Sequence, residues 1–139
     1  MSALECGVDT VLAAEPYGGM AALRAKSIAL TELFARLVEE RCAGHGLAVV
    51  SPRDAAQRGS QVCLTCSEGG YAIVQALIAR GVIGDFRAGD AQTPDILRFG
   101  FTPLYTRFVD VWDAVEHLRE VMANAEWQRP EFNRRHAVT

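Results

Sequence analysis

Residues 94–118 read PDILRFGFTPLYTRFVDVWDAVEHL, and two periodicities meet in them. Ile96, Leu97, Phe99 and Phe101 form a short apolar run bounded by turn residues, which predicts a strand over 96–101, interrupted by Gly100. One arginine, Arg98, stands inside it. The segment Phe101-Thr102-Pro103-Leu104-Tyr105-Thr106 then turns a corner, with Pro103 restraining the backbone. Thr106 is a good N-cap residue for a helix over 107–123. Phe108, Val111, Trp112, Val115, Leu118 and Met122 recur there at three- and four-residue spacing, as a buried stripe does.

Upstream, residues 87–95 (RAGDAQTPD) are polar and turn-rich and predict a loop. Val82–Phe86 reads as a strand, and 70–80 as a helix with Ile73, Val74, Leu77 and Ile78 apolar and Gly81 as its stop. Residues 61–64 and 47–50 give two more short apolar strands. Residues 20–42 carry the strongest helical pattern, with Leu23, Leu30, Leu33, Phe34, Leu37 and Val38 at helical spacing, and Gly44 and Gly46 just beyond. At about 1.5 Å per residue this helix is roughly 30 Å long, longer than a domain of this size needs, which suggests a strut between two bodies. Residues 1–12 predict a short helix with Leu4, Val8, Val11 and Leu12 on one side, broken by Pro16-Tyr17-Gly18-Gly19. The polar tail from Glu126 reads as a surface run. The expected fold class is α+β, with a small, largely antiparallel sheet covered by helices.

The 139 residues fit one domain and half are apolar, enough for a core. A net charge of −3 gives no basic stripe for nucleic acid. No apolar run reaches the roughly 20 residues that span a bilayer, and the start, MSALECGVDT, lacks the basic and long apolar regions of a signal peptide. These features predict a cytoplasmic protein whose four cysteines are thiols.

Several residues are candidates for chemistry. Arg98, inside an apolar strand, needs an anionic partner if buried, and its planar fork suits a carboxylate. The alternatives are a solvent-facing arginine on an edge strand, or a pair with Asp85 or Asp95. Arg58-Gly59-Ser60-Gln61 enters a strand as a polar tetrad, which reads either as a turn or as a place where backbone approaches a ligand. Tyr105 offers a hydroxyl at the corner, or simple packing. Cys42 with His45 and Cys63 with Cys66 have spacings that could form a zinc site. An apolar core large enough to stand without a staple argues against one, so no metal is expected. His117 and His136 are isolated, and His117 should be solvated. There is no P-loop, GxGxxG after a strand, HExxH or GxSxG motif.

Taken together, MAALRAKSIALTELFARLVEERC (20–42), RGSQV (58–62), YAIVQALIARGVIGDFR (71–87) and PDILRFGFTPLYTRFVDVWDAVEHL (94–118) resemble the C-terminal portion of the kynureninases. The resemblance extends to SALECGVDTV at the start and so covers essentially the whole chain. It implies the small domain of a fold-type-I, aminotransferase-like enzyme dependent on pyridoxal 5′-phosphate. Residues 1–19 would end a large domain, 20–43 would form the interdomain helix, and 44–139 the small domain. Kynureninases are homodimers that hydrolyse L-kynurenine, or 3-hydroxykynurenine, to anthranilate or 3-hydroxyanthranilate and L-alanine, in tryptophan catabolism and on the route to NAD. By motif, Arg98 is the arginine that holds the substrate carboxylate, with Arg58, Gln61 and Tyr105 as possible site-lining residues.

The family's Schiff-base lysine belongs to the large domain. Lys26, the one lysine here, sits in the helix matching ALRAKS and reads as a surface or hinge-face residue. The resemblance therefore implies that this chain does not attach the cofactor covalently, lacks the large domain and is inactive alone. A non-catalytic binding or dimerisation domain derived from the family is the competing reading. Two departures stand out: CLTCSEGG (63–70) replaces a basic, proline-containing segment, and the loop AGDAQT (88–93) is longer than usual.

Overall fold

The computed structural model describes residues 2–134; His136 and the end of the tail lie outside them. Nine elements follow in order: α1 (Ala3–Leu12), α2 (Gly19–Arg41), β1 (Leu47–Val49), β2 (Gln61–Cys66), α3 (Gly70–Ala79), β3 (Asp85–Arg87), β4 (Ile96–Gly100), α4 (Phe108–Ala123) and α5 (Pro130–Asn133), with single 3-10 turns at Glu15–Tyr17, Ala55–Gln57 and Glu126–Gln128. The α+β expectation holds. The strands form one sheet in the order β1-β2-β4-β3, each neighbouring pair antiparallel.

Strand alternation divides the sheet into two faces. Val62, Leu64 and Cys66 of β2 and Leu97 and Phe99 of β4 are buried under the helices. The intervening residues Cys63, Thr65, Ile96 and Arg98 are only partly buried, and Gln61 and Gly100 are exposed. Helix α2 contributes Leu30, Phe34, Leu37 and Val38 to the core, α3 contributes Ile73, Val74 and Leu77, and α4 contributes Val111, Val115, Leu118 and Val121. The Phe34 ring lies 5.1 Å from that of Phe99 and 4.9 Å from that of Phe101, within the range of favourable aromatic pairing. The first two turns of α2 bury little beyond Gly19, and α1 buries nothing.

Several local expectations are corrected. The third strand begins at Asp85 rather than Val82. Gly81, at φ +85°, ends α3, and the Val82 N–H returns to the Leu77 carbonyl at 2.9 Å. Residues 82–84 are thus spent on the turn, and Ile83 is left exposed. The cap of α4 is Arg107, not Thr106; the Asp110 carboxylate accepts the Arg107 N–H at 2.7 Å. The buried stripe of α4 excludes Phe108 and Trp112, which are about half exposed, while Val121 is fully buried and Met122 only partly so. Arg41 lies 4.6 Å over the Trp112 ring, a cation–π contact that suits a ring with one wet face. The tail does more than cover the surface, because Trp127 and Phe132 pack against the core. Gly69, at φ +72°, lies beneath Trp127; a Cβ there would meet the indole at 2.4 Å.

Candidate functional site

The uncovered face of the sheet positions the chemistry. Antiparallel register sets Cys63 opposite Arg98 on one side and Asp85 opposite Arg98 on the other. One row across three strands therefore reads thiol, guanidinium, carboxylate. The next row holds Thr65, Ile96 and Arg87, and Gln61 faces Gly100.

The Arg98 side chain is 33% exposed. Its Nε and Nη2 both donate to Oδ2 of Asp85, Nε at 3.0 Å. Nη2 of Arg87 reaches the same oxygen at 3.0 Å. Hydrogen bonding from Arg98 holds the Asp85 carboxyl below its ordinary range against the opposing effect of desolvation, with lesser help from the charges of Arg87 and Arg98. Of the two partners open to Arg98 in the sequence, the structure selects Asp85. Asp95 instead accepts the Gly89 N–H at 2.9 Å and ties down the 88–93 loop. Sequence reasoning missed Arg87. Its signal was period two, since 85 and 87 point to one face of a strand.

The other proposed site residues do not all converge on Arg98. Gln61 shares the open face and its Nε2 donates to Cys63 Sγ at 3.3 Å. Tyr105 is well exposed and lines a different cleft, of about 340 Å³, with Phe34, Ile83, Phe99, Thr106 and Asp110. Arg58 is largely enclosed by its own loop and α2. Its side chain is 6% exposed, its Nη1 donates to the carbonyls of Pro52 at 2.8 Å and Arg53 at 3.1 Å, and Glu32 lies 3.7 Å from Nη2. Arg24 donates to the Ala55 and Arg58 carbonyls, and Ser27 and Ser60 share a hydrogen bond of 2.6 Å. This set staples residues 52–60 to α2, so the RGSQ tetrad enters the strand as anchored backbone.

Among the described residues, no three His, Cys, Asp or Glu side chains come together to hold a metal ion. Cys42 and Cys66 are buried, and burial pushes both thiols up to about 11. His117 is not simply solvated: its Nδ1 lies 3.2 Å from Arg80 Nη1, and Arg80 also donates to Glu120 and Glu126. No helix among the described residues is long and apolar enough to cross a membrane.

Lys26 donates from Nζ to the Pro103 carbonyl at 2.8 Å, and so is committed to pinning the corner after β4 to α2. It lines a small cleft with Ala14, Tyr17, Gly19, Ala22 and Leu23.

The sequence pattern of the Kynureninase C-terminal domain matches residues 23–118. Kynureninases of Burkholderia mallei (strain SAVP1) and Burkholderia pseudomallei (strain K96243) are each 55% identical over all 139 residues, and that of Pseudomonas fluorescens is 51% identical over the same span. The chain covers 31% of the length of each. The antiparallel sheet, all but the first residues of the long helix and the arginine-bearing strand leading into TPLYTRF fall in the matched region, and the chain belongs to the kynureninase C-terminal domain family.

Proposed function

We propose that this chain is the carboxylate-anchoring segment of a kynureninase. In this reading it forms the small domain of a fold-type-I enzyme, works as a cytoplasmic homodimer, and acts on L-kynurenine or its 3-hydroxy form to give L-alanine and anthranilate or 3-hydroxyanthranilate. Residues 1–19 end the large-domain segment, 20–43 link the domains, and 44–139 form the small domain. The observation that carries the reading is Arg98. It is a partly exposed guanidinium on the face of the sheet opposite the helices, among the described residues. A bidentate arginine at that position fixes the amino-acid end of the substrate and so orients the bond to be broken. Pyridoxal phosphate, the family's electron sink, belongs in this reading to residues outside this chain, and no step performed here runs through it.

A second reading, a non-catalytic binding or dimerisation domain, is favoured by α1. Leu4, Val8 and Leu12 are exposed along one side of it, and an apolar face of this kind invites association. A chimera separates the two. The C-terminal domain of the Burkholderia mallei relative is replaced by this chain, and L-kynurenine hydrolysis is followed by anthranilate fluorescence. Turnover near that of the parent supports the enzymatic reading. A soluble, cofactor-loaded chimera without turnover supports the second.

A further inference from the structure

A guanidinium has five N–H groups in a rigid plane. Asp85 takes two of them, at Nε and Nη2, through the single oxygen Oδ2. One N–H of Nη2 and both of Nη1 have no partner among the described residues. The unused end of the fork, Nη1 with Nη2, is the geometry that receives a second carboxylate end-on. Asp85 sits directly opposite Arg98 on the neighbouring strand, so this arrangement is set by the sheet register and not by a flexible loop. On the opposite side the register neighbour is Cys63, which is small, and its Sγ is engaged by Gln61. Two guanidinium charges, Arg87 and Arg98, face the one carboxylate of Asp85. The cluster thus keeps one positive charge that a single anion would balance.

We propose that Asp85 is a positioning residue: its carboxylate grips the Nε–Nη2 edge of Arg98 and holds the Nη1–Nη2 end, backed by the Arg87 charge, ready for an incoming amino-acid carboxylate. This rests on the carboxylate-anchor reading of Arg98. Asp85 never touches the ligand; it orders the group that does. Because Asp85 is about half exposed, its pairs add little to stability, so loss of positioning separates from loss of fold.

The test uses the chimera described above, nitrogen-15 labelled, with L-alanine as the probe at constant ionic strength. Isothermal titration calorimetry reports binding in every variant, the Arg98 Nε resonance reports its location where Arg98 is present, and a thermal melt reports stability. The expected result is saturable binding that Arg98→Ala abolishes. Asp85→Ala should weaken it by about tenfold, as contacting charged groups commonly couple. Asp85→Asn, which keeps one acceptor oxygen, should fall between, with melting temperatures of all three Asp85 forms close together. Binding by Asp85→Ala as tight as wild type, or tighter, overturns the positioning role and leaves the Arg98 anchor standing. Absence of any L-alanine response at Arg98 in the unsubstituted chimera overturns both.

Discussion

The two faces of the sheet come from the same strands and differ at every second residue. On the covered face, Leu64, Leu97 and Ile73 above them are fully buried and carry the stability. On the open face, Arg98, Asp85 and Arg87 pair in partial contact with solvent and add little to it. The lesson is that adjacent positions in one strand answer to different demands. Removing a covered side chain should damage the fold, and removing an open one should damage recognition alone.

Neighbouring substitutions break or sharpen this contrast most strongly. Leu97→Ala should cost roughly 2–5 kcal/mol, the range for deleting a buried leucine, whereas Arg98→Ala should change stability by less than about 1 kcal/mol. Urea unfolding of both variants checks this, and equal losses would erase the distinction between the faces. Next in size is the edge of the covered layer. Gly69→Ala places a Cβ against Trp127 at a left-handed backbone position and should cost roughly 1–3 kcal/mol, with a red shift of tryptophan emission. Gly59→Ala, where nothing lies within 4 Å, is its control and should leave both the midpoint and the emission unchanged.

Two cysteines of one strand give a smaller, chemical version of the same comparison. Cys66 lies on the covered face with its thiol pushed up to about 11 by burial, while Cys63 lies on the open face. At pH 8, iodoacetamide followed by peptide mass mapping should label Cys63 at least about ten times faster than Cys66, because the thiolate is the nucleophile. The smallest effect concerns acid. Glu126 and Asp85 both titrate below their ordinary values, through Arg80 and Arg98 respectively. A carboxyl depressed in the folded state stabilises at pH above its unfolded value and loses that contribution as pH falls through the folded one. Urea midpoints should therefore drop as pH falls below the ordinary carboxylate range. Glu126→Gln should blunt that drop more than Asp85→Asn, since Glu126 is 11% exposed and Asp85 47%.

Much of this was legible in the sequence because periodicity encodes burial. The long helix, the short strands at 61–64 and 96–101, and the arginine in an apolar strand could all be read directly. What stayed hidden depended on contacts distant in sequence. Val82 and Ile83 look like strand residues, but Gly81 allows a hydrogen bond back to Leu77 that consumes them in a turn. Trp112 looks like a core residue, yet Arg41, 71 positions earlier, provides a partner for its exposed face. Trp127 and Phe132 sit in a polar tail and still reach the core. Arg58 sits in a polar tetrad that could be turn or ligand site, and its Nη1 donates to carbonyls of its own loop. Whether an arginine serves a loop or a ligand is settled by which acceptors the fold brings near, and no local pattern states that.

The central claim is that Arg98 anchors a substrate carboxylate while contributing little to the fold. Steady-state kinetics of the chimera with L-kynurenine, comparing wild type, Arg98→Lys and Arg98→Ala, tests it most directly. The account predicts that Arg98→Ala raises KM and lowers kcat/KM by about 100-fold or more, as loss of a charged hydrogen-bonding pair does, with Arg98→Lys only partly restoring it and all three proteins equally stable. Near-normal KM and kcat for Arg98→Ala would contradict it.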